Sequence, residues 1–300
     1  MTDNKTLVTG GSGRLGRHVV DKLMERYQVS VLDIKPPQQD VPFWHASILD
    51  LDAVLDAVAG QNAVVHLAGY DDGDAPSDQD YFNINVQGAW NVFHASEEAG
   101  IARIVFASST AAYGIGRSRM PDYLPLDEQH PQRPLRTYDV SKQIIETTAQ
   151  HFARRGKMSM VGLRPTLIIR PEKEAEIIAQ LELSDPNNDG PADFVGRNGS
   201  KAYGGLGPTR TYILSKDCAA AFYAALDYRG DNYDVFNIAA DDNIGRVDTL
   251  AHLNNFYGQL PDVADDKYFR ERPERSLLDN RKAKSLLQWA PVGTWNDIAK

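Results

Sequence analysis

The sequence predicts an α/β protein built on a doubly wound parallel sheet, with a smaller substrate-binding region interleaved in its C-terminal part. Two observations support this prediction. Short apolar runs alternate with amphipathic stretches through residue 170, the pattern of a parallel sheet with right-handed crossovers. The first apolar run leads into a glycine-rich turn and then a helix, which is the local context of a dinucleotide-binding loop.

The spacing of apolar residues gives the predicted elements in chain order. Runs rich in valine, isoleucine and leucine predict strands, and apolar residues repeated every three or four positions predict helices. The predicted strands are Lys5–Thr9, 29–33, 41–44, 63–67, Arg103–Ala107 and 159–163. The predicted helices are 14–27, Leu51–Val58, 80–99 and 138–154. Together these elements make residues 1–170 a predicted nucleotide-binding domain.

The alternation changes beyond Pro171, where residues 186–207 are rich in Gly, Pro, Asn and Asp. A helix at 215–226 and a strand at Tyr233–Ile238 are predicted to return to the main sheet, and further helices are predicted at 247–257 and 280–287. We therefore assign residues 171–300 mainly to the substrate-binding region, with about 215–240 returning to the nucleotide-binding domain.

The composition excludes several classes of protein. The 300 residues are 42% hydrophobic and 24% charged, as in ordinary soluble domains, and no apolar run approaches a membrane span. The N-terminal residues lack the pattern of a secretion signal, so a cytoplasmic location is expected. The net charge of −9 argues against nucleic-acid and membrane partners. Cys218 is the single cysteine, and the histidines lack metal-site spacing, so no disulfide and no metal are predicted.

The glycine-rich turn reads Thr9-Gly10-Gly11-Ser12-Gly13-Arg14-Leu15-Gly16. Glycines let the backbone turn tightly and approach a pyrophosphate, which the free N–H groups at the following helix N-terminus would bind. The next strand ends at Asp33, 20 residues after Gly13, where a carboxylate can accept hydrogen bonds from ribose hydroxyls. Because this carboxylate would repel a 2′-phosphate, the sequence predicts NAD rather than NADP.

A second motif places Tyr138 four residues before Lys142, with Ser109 lying 29 residues upstream of the tyrosine. Positions i and i+4 share one face of a helix, so a phenol and an ammonium would be neighbours there. We expect the cation to lower the pKa of the Tyr138 phenol, which would suit a general acid/base acting on an alcohol or carbonyl. Ser109 is expected to polarise the same oxygen, and Thr110 could replace it.

Three candidate groups fall at carboxyl ends of predicted strands. They are Asp33, Ala68-Gly69 and Ser108-Ser109. Ligands of open parallel sheets bind at this edge, so we expect these groups to converge on one site.

Together, the motifs resemble the extended short-chain dehydrogenase/reductase family, in its NAD-dependent epimerase/dehydratase branch. The resemblance rests on Thr9 to Gly16, His66-Leu67-Ala68-Gly69, Asn85-Val86-Gln87-Gly88, Phe106 to Gly114, Leu163-Arg164-Pro165 and Arg210 to Asp217. It implies a Rossmann fold, NAD as cofactor, and a homodimer that pairs through the helices at 80–99 and 138–154.

The resemblance also implies a set of site residues. The catalytic residues would be Ser109, Tyr138 and Lys142. The expected cofactor contacts are Gly10, Gly13, Arg14, Leu15, Gly16, Asp33, Ile34, Ile48, Leu67, Ala68, Gly69, Asn85, Ala107, Ser108, Tyr138, Lys142 and Pro165. The expected substrate contacts are Tyr70, Ser109, Thr110 and Arg210.

The family resemblance leaves the outcome of the reaction open. One interpretation is an epimerase acting on a sugar or nucleotide-sugar hydroxyl, and another is a uronate or aldose dehydrogenase that releases a lactone. A third is a non-catalytic NAD-sensing protein. Dehydratases of the family that the chain resembles carry Thr-Asp-Glu near the position of the catalytic serine. Ser109-Thr110-Ala111 has no carboxylate there, which argues against a 4,6-dehydratase. An anionic substrate is predicted from the basic residues Arg117, Arg119, Arg133, Arg136, Arg164, Arg170, Arg197, Lys201 and Arg210.

Overall fold

A central sheet flanked by helices organises the computed structural model, which describes residues 4–116, 118–183, 192–195, 201–204 and 208–298. In chain order the strands are β1 (Lys5–Thr9), β2 (Gln28–Asp33), β3 (Phe43–His45), β4 (Ala63–His66), β5 (Arg103–Ala107), β6 (Tyr123–Leu124), β7 (Ser159–Pro165), β8 (Leu167–Ile169), β9 (Ala192–Val195), β10 (Lys201–Gly204), β11 (Tyr212–Leu214), β12 (Tyr233–Ile238) and β13 (Asp262–Val263).

The helices are given in the same order. They are α1 (Gly16–Met24), α2 (Leu51–Val58), α3 (Asp78–Asp80), α4 (Gly88–Glu98), α5 (Thr137–Arg154), α6 (Glu174–Leu183), α7 (Ser215–Ala225), α8 (Thr249–Tyr257), α9 (Asp266–Glu271), α10 (Arg281–Leu286) and α11 (Trp295–Ile298). A π-helical segment, Tyr81–Gln87, joins α3 to α4, and 3₁₀ turns lie at Thr110–Tyr113 and Pro171–Lys173.

Seven parallel strands form the central sheet in the order β12-β7-β5-β4-β1-β2-β3. The chain runs outward from β1 to β3 and then crosses back to β4 on the other side of β1. The carboxyl ends of β1 and β4 are therefore neighbours at the point where the strand order reverses, which is where open α/β sheets bind ligands.

Two hydrophobic clusters cover the two faces of this sheet. On one face α1 and α7 pack together, with Val20 and Leu23 against Ala221 and Phe222. On the other face α2, α4 and α5 supply the buried side chains, including Val54, Phe93 and Phe152. The strands lie between two helical layers, which explains why they read as continuous apolar runs rather than alternating ones.

The largest differences between predicted and observed elements are at two helices, and short strands such as β8 and β11 are not predicted. The first helix starts at Gly16 rather than 14, because residues 10–15 form the turn at its N-terminus. The helix predicted over 80–99 is a composite of α3, the π-helical segment and α4. Its π-helical part is tied to other elements through Asn85, contacts that helical periodicity does not encode.

Three small two-stranded sheets lie outside the central one, pairing β8 with β11, β9 with β10, and β6 with β13. After the irregular region, β12 joins the edge of the central sheet beside β7, and α7 packs on α1. Among the residues that the structure describes, no helix combines the length and apolar character that crossing a membrane requires.

Candidate active site

The glycine-rich turn lies at the carboxyl end of β1, beside the segment that follows β4. Gly10 has a left-handed φ of 75°, and a Cβ there would stand 2.5 Å from the Ala68 nitrogen. A Cβ on Gly16 would overlap the Gly10 carbonyl, so glycine allows α1 to start directly against the turn. Around Gly13 a Cβ would meet only the Gly10 oxygen, at 3.1 Å. The turn thus leaves backbone accessible at a helix N-terminus, which fits a pyrophosphate.

Asp33 ends β2 next to this turn. Its carboxylate accepts hydrogen bonds from the backbone N–H groups of Ser12 at 3.0 Å and Lys35 at 3.1 Å. A carboxylate has about four acceptor positions, so two remain for ribose hydroxyls. Ile34, the next residue, is 62% exposed, as a residue lying against an adenine would be before the cofactor binds. These residues fit an NAD molecule whose adenosine lies over the end of β2.

Asn85 organises the end of β4 from the π-helical segment. It is fully buried, and its amide both accepts from the Tyr70 N–H at 2.7 Å and donates to the Tyr70 carbonyl at 3.1 Å. It also donates to the Ser141 hydroxyl on α5 at 3.2 Å. A Cβ on Gly69 would stand 2.9 Å from the Asn85 oxygen. Asn85 therefore holds the chain after Ala68 in place, and its side chain serves the protein rather than standing free for a ligand.

Tyr81 connects this segment to Tyr138. The Tyr81 hydroxyl donates to the Asp71 carbonyl at 3.2 Å and accepts from the Gly73 N–H at 2.8 Å. Its ring lies 5.8 Å from the ring of Tyr138 and 6.4 Å from that of Tyr70. The three aromatic rings form one wall of the candidate site.

The structure brings Ser109, Tyr138 and Lys142 together at the carboxyl edge of the sheet. Ser109, which begins the 3₁₀ turn after β5, lies close enough to the Tyr138 hydroxyl to lower the pKa of the phenol. The Lys142 ammonium lies 5.5 Å from the centre of the Tyr138 ring and donates to the Ala107 carbonyl at 3.1 Å. Both residues are at most 8% exposed. The spacing in the sequence therefore predicts this grouping correctly.

The expected effect of Lys142 on the pKa of Tyr138 is wrong for this structure. Burial raises the pKa of the Tyr138 phenol well above 10, the Asp71 carboxylate raises it further, and the nearby Ser109 lowers it only in part. The Lys142 ammonium is directed at a backbone carbonyl and is itself destabilised by burial, which lowers its pKa to about 8. Desolvation of the phenolate outweighs the nearby cation.

His66 lies behind the site at the end of β4. Its Nδ1 is hydrogen-bonded to the Thr9 hydroxyl at 2.7 Å, and its ring packs edge-on against Phe93. Burial and the charge of Lys142 lower the pKa of His66 to about 3, so the ring is neutral. It joins the ends of β1 and β4. Because the ring stays uncharged near neutral pH, His66 does not serve as an acid in the reaction.

Ser108 differs from its predicted role as a cofactor contact. Its hydroxyl donates to Glu146 on α5 at 2.5 Å, away from the carboxyl edge, and the residue is 3% exposed. Glu146 also receives two hydrogen bonds from Arg164 on β7, at 2.7 and 2.6 Å. The Arg164 guanidinium is bonded to Glu146 and to the Tyr113 hydroxyl, so it is not available to a substrate as predicted.

The remaining predicted contacts fall into two groups. The first group lies at the carboxyl ends of β4, β5 and β7 and comprises Leu67, Ala107, Thr110 and Pro165. Within it, the Thr110 hydroxyl donates to the Pro165 carbonyl at 3.5 Å. Leu15 and Ile48 instead pack into the two hydrophobic clusters. Ile48 is 4% exposed and lies against Gly88, so its side chain belongs to the core before any cofactor binds.

Most of the predicted anion-binding arginines are taken up by carboxylates. Arg119 and Arg133 pair with Asp122, and Arg170 pairs with Glu172. The side chains of Arg117, Arg197 and Lys201 lie outside what the structure describes. Arg210 is 3% exposed, has a left-handed φ of 43°, and donates to the Ile244 carbonyl at 3.4 Å.

Two ion-pair groups hold the acidic loop between β4 and α3 across the site. Arg14, which follows the glycine turn, pairs with Asp71 at 3.2 Å and also contacts Asp74. Arg136, just before α5, pairs with Asp72 at 2.6 Å and with Asp139 at 2.8 Å. Arg14, predicted as a cofactor contact, therefore faces this loop rather than the end of β2.

Comparisons with known proteins agree with this geometry. Residues 6–239 match the NAD dependent epimerase/dehydratase family. A protein from Methanocaldococcus jannaschii described as a putative UDP-glucose 4-epimerase is 30% identical over 95% of this chain and 92% of its own length. An NAD-dependent glucose-6-phosphate dehydrogenase of Haloferax volcanii is 32% identical over 54% of this chain and 68% of its own.

A solved structure has the same fold. A short-chain dehydrogenase/reductase superfamily protein from Agrobacterium tumefaciens, with bound NAD, superposes with a TM-score of 0.71 at 24% identity, covering 98% of this chain and 94% of its own. Family match and fold agree, and both accord with the glycine turn, Asp33 and the grouping of Ser109, Tyr138 and Lys142. The chain is thus a member of the NAD dependent epimerase/dehydratase family, and NAD is its cofactor.

Proposed function

We propose that this enzyme oxidises a hydroxyl of a sugar or nucleotide sugar, with Tyr138 as the group that exchanges the hydroxyl proton. The observation that carries the proposal is the convergence of Ser109, Tyr138 and Lys142 beside a turn suited to a pyrophosphate. NAD⁺, when bound, accepts hydride from the carbon that bears the hydroxyl. The turn and Asp33 would hold the cofactor, with the Lys142 ammonium near its nicotinamide end.

The proton chemistry follows from the positions of the three side chains. Ser109 lies near the Tyr138 hydroxyl, so a substrate oxygen placed between the two hydroxyls would contact both. Since the pKa of Tyr138 is raised, the phenol is protonated at neutral pH and is ready to donate a proton to a carbonyl. In the oxidising direction a phenolate must form, and the Lys142 ammonium and the Ser109 hydroxyl are the groups that stabilise it.

Epimerisation is the outcome we favour. The relative that matches over nearly its whole length is described as a putative UDP-glucose 4-epimerase. A sugar dehydrogenase is the second candidate, supported by the glucose-6-phosphate dehydrogenase that matches 54% of this chain. The intact Ser109, Tyr138 and Lys142 argue against a protein that only senses NAD. We assign the region beyond residue 171, apart from about 215–240, mainly to substrate binding.

An anionic nucleotide sugar remains the proposed substrate, with Arg210 as its candidate contact. The acidic loop qualifies this proposal, because Asp71 acts electrostatically on both Tyr138 and Lys142. A negative charge at the reacting end of the sugar would be repelled there. We therefore place the negative charge of the substrate on a diphosphate distant from Tyr138.

The proposed homodimer would form through the π-helical segment, α4 and α5. Phe82 and Trp90 are 40% and 42% exposed, and the Trp90 ring stacks on His151 of α5. These side chains would make an apolar patch that a second copy, related by a two-fold axis, could cover. A cytoplasmic location remains part of the proposal, since a single thiol is compatible with a reducing compartment.

The decisive experiment incubates the protein with NAD⁺ and a panel of UDP- and dTDP-sugars, free aldoses and uronic acids. Epimer formation is followed by NMR, and net NADH production by absorbance at 340 nm. Epimers without accumulated NADH support the epimerase, whereas stoichiometric NADH with a lactone supports the dehydrogenase. Binding of NAD⁺ with neither product would contradict the proposed function.

A further inference from the structure

We propose that Glu146 and Arg164 form a positioning pair that aims the Ser109 hydroxyl at Tyr138, acting through Ser108. This inference rests on the proposed function, in which Ser109 and Tyr138 address one substrate oxygen. Both side chains are at least 96% buried and bonded to other protein groups, so neither is offered to a substrate. Their effect on the reaction would therefore be indirect.

Three successive residues at the end of β5 are each joined to α5. Lys142 donates to the Ala107 carbonyl at 3.1 Å, Ser108 donates to Glu146 at 2.5 Å, and Ser109 lies near the Tyr138 hydroxyl, whose pKa it lowers. The three α5 partners are spaced four residues apart, so they lie along one face of the helix. We call these contacts the three-point clamp. Its middle contact is the one that the catalytic motif does not include.

The middle contact sets the direction of the catalytic serine. Ser109 is extended, with φ −160° and ψ 150°, and its hydroxyl accepts from the Ala111 N–H at 3.1 Å. The Ser108 hydroxyl, held at Glu146, fixes the backbone from which the Ser109 side chain extends. The Ser108 N–H, which donates to the Leu163 carbonyl at 2.8 Å, fixes the backbone at the same point.

Arg164 makes the clamp rigid from the neighbouring strand. Its Nε and Nη2 bind the two oxygens of Glu146 at 2.7 and 2.6 Å, a bidentate geometry that fixes the plane of the carboxylate. Its Nη1 donates to the Tyr113 hydroxyl at 2.8 Å, at the end of the 3₁₀ turn that Ser109 begins. One guanidinium thus restrains the chain both before and after Ser109.

The charges make Glu146 a poor first choice for a variant. Removing its charge would leave Arg164 buried without its counter-ion, which is strongly destabilising, so loss of activity could reflect loss of the fold. Ser108→Ala avoids this difficulty, because it deletes the middle contact of the clamp and keeps the buried ion pair. A matched control is Ser96→Ala, which removes another fully buried hydroxyl, on α4.

The test compares the steady-state kinetics of wild type, Ser108→Ala and Ser96→Ala. For Ser108→Ala we expect kcat to fall by about ten- to a hundredfold, as small misplacements of catalytic groups do, with KM for NAD⁺ unchanged. The isotope effect with substrate deuterated at the oxidised carbon should rise, because the chemical step becomes slower than product release. A merely structural serine would not change that isotope effect. Ser96→Ala should match wild type.

Two results would overturn the positioning role. One is a folded Ser108→Ala protein with kcat close to that of wild type. The other is parallel loss of thermal stability, NAD⁺ affinity and kcat with an unchanged isotope effect. If wild type turns over no sugar at all, the proposed function fails separately. In that case a crystal structure of Ser108→Ala tests the clamp directly. A Ser109 hydroxyl that keeps its wild-type position beside Tyr138 would refute the clamp.

Discussion

Replacing Lys142 by methionine should make the fold more stable and the enzyme inactive. The Lys142 side chain is buried, and burial lowers the pKa of its ammonium from 10.5 to about 8. At about 1.4 kcal/mol per pKa unit, the folded state disfavours the charged form by about 3 kcal/mol. Methionine has a similar length and no charge, so the variant avoids this cost. It loses the hydrogen bond to the Ala107 carbonyl, worth about 1 kcal/mol.

We therefore expect the Lys142→Met apoprotein to be about 2 kcal/mol more stable than wild type at pH 7, and inactive. The sign of the pH dependence follows from the lowered pKa. Below pH 8 the lysine is charged in both folded and unfolded chains, and the full cost is present. Between about pH 8 and 10.5 the folded protein releases the proton while the unfolded chain retains it, so wild-type stability rises with pH.

Urea unfolding of both apoproteins at pH 7 and pH 9.5, followed by tryptophan fluorescence, measures this difference. The excess free energy of unfolding of Lys142→Met over wild type should fall by more than half between pH 7 and pH 9.5. Lys267→Met provides a control, because the side chain of Lys267 is 80% exposed and its replacement should change stability little at either pH. A less stable Lys142→Met at pH 7, or an advantage independent of pH, would refute the reasoning.

Four further predictions follow from the site and the exposed apolar patch. Tyr138→Phe keeps the buried ring and should retain NAD⁺ affinity while turnover drops by about 10²–10⁴-fold; near-normal turnover would place the acid/base elsewhere. In calorimetry, wild type should bind NADH more tightly than NADPH, and Asp33→Ala should reduce the ratio of the two dissociation constants. If that ratio is unchanged in Asp33→Ala, the Asp33 carboxylate is not what causes the preference for NADH. Arg210→Ala should raise KM for a nucleotide sugar more than KM for the matching free sugar, and equal changes would indicate a purely structural arginine. Trp90→Glu should convert a dimer to a monomer in light scattering at micromolar concentration, whereas a monomeric wild type contradicts the proposed interface.

The local pattern of the sequence was sufficient for the strands of the central sheet and for the grouping of Ser109, Tyr138 and Lys142. Lys5–Thr9 and Arg103–Ala107 are predicted to the residue because the strands are buried on both faces and are bounded by turns. The spacing of Tyr138 and Lys142 likewise needs only the period of a helix. Ser109 joins them because parallel strands present their carboxyl ends at one edge.

Contacts between distant segments account for what the sequence reading missed. The pKa of Tyr138 depends on burial and on Asp71, 67 residues earlier in the chain. Arg164 is predicted to bind substrate and Glu146 has no predicted role, and only the fold pairs them. One signal was available, because Glu146 follows Lys142 by four residues and so lies on the catalytic face of the helix. Ile48 came from the resemblance alone, and its side chain is buried in the core.

The π-helical segment Tyr81–Gln87 has a consequence for comparing chains of this family. The N–H of Gly88 bonds the carbonyl of Asn83, five residues back, so this turn holds one residue more than an α-helical turn. If exposed Asn83 were deleted, the turn could wind as an α-helix. The helical residues before position 83 would then rotate by about 100° around the helix axis relative to α4.

Such a rotation would carry Tyr81 away from Tyr138 and release the loop that its hydroxyl holds at Asp71 and Gly73. A gap of one position in an alignment, far from any catalytic motif, would then mark a chain whose active-site wall is built differently. Two sequences could share every residue of the Ser-Tyr-Lys motif and still accept different sugars, because the length of one turn differs.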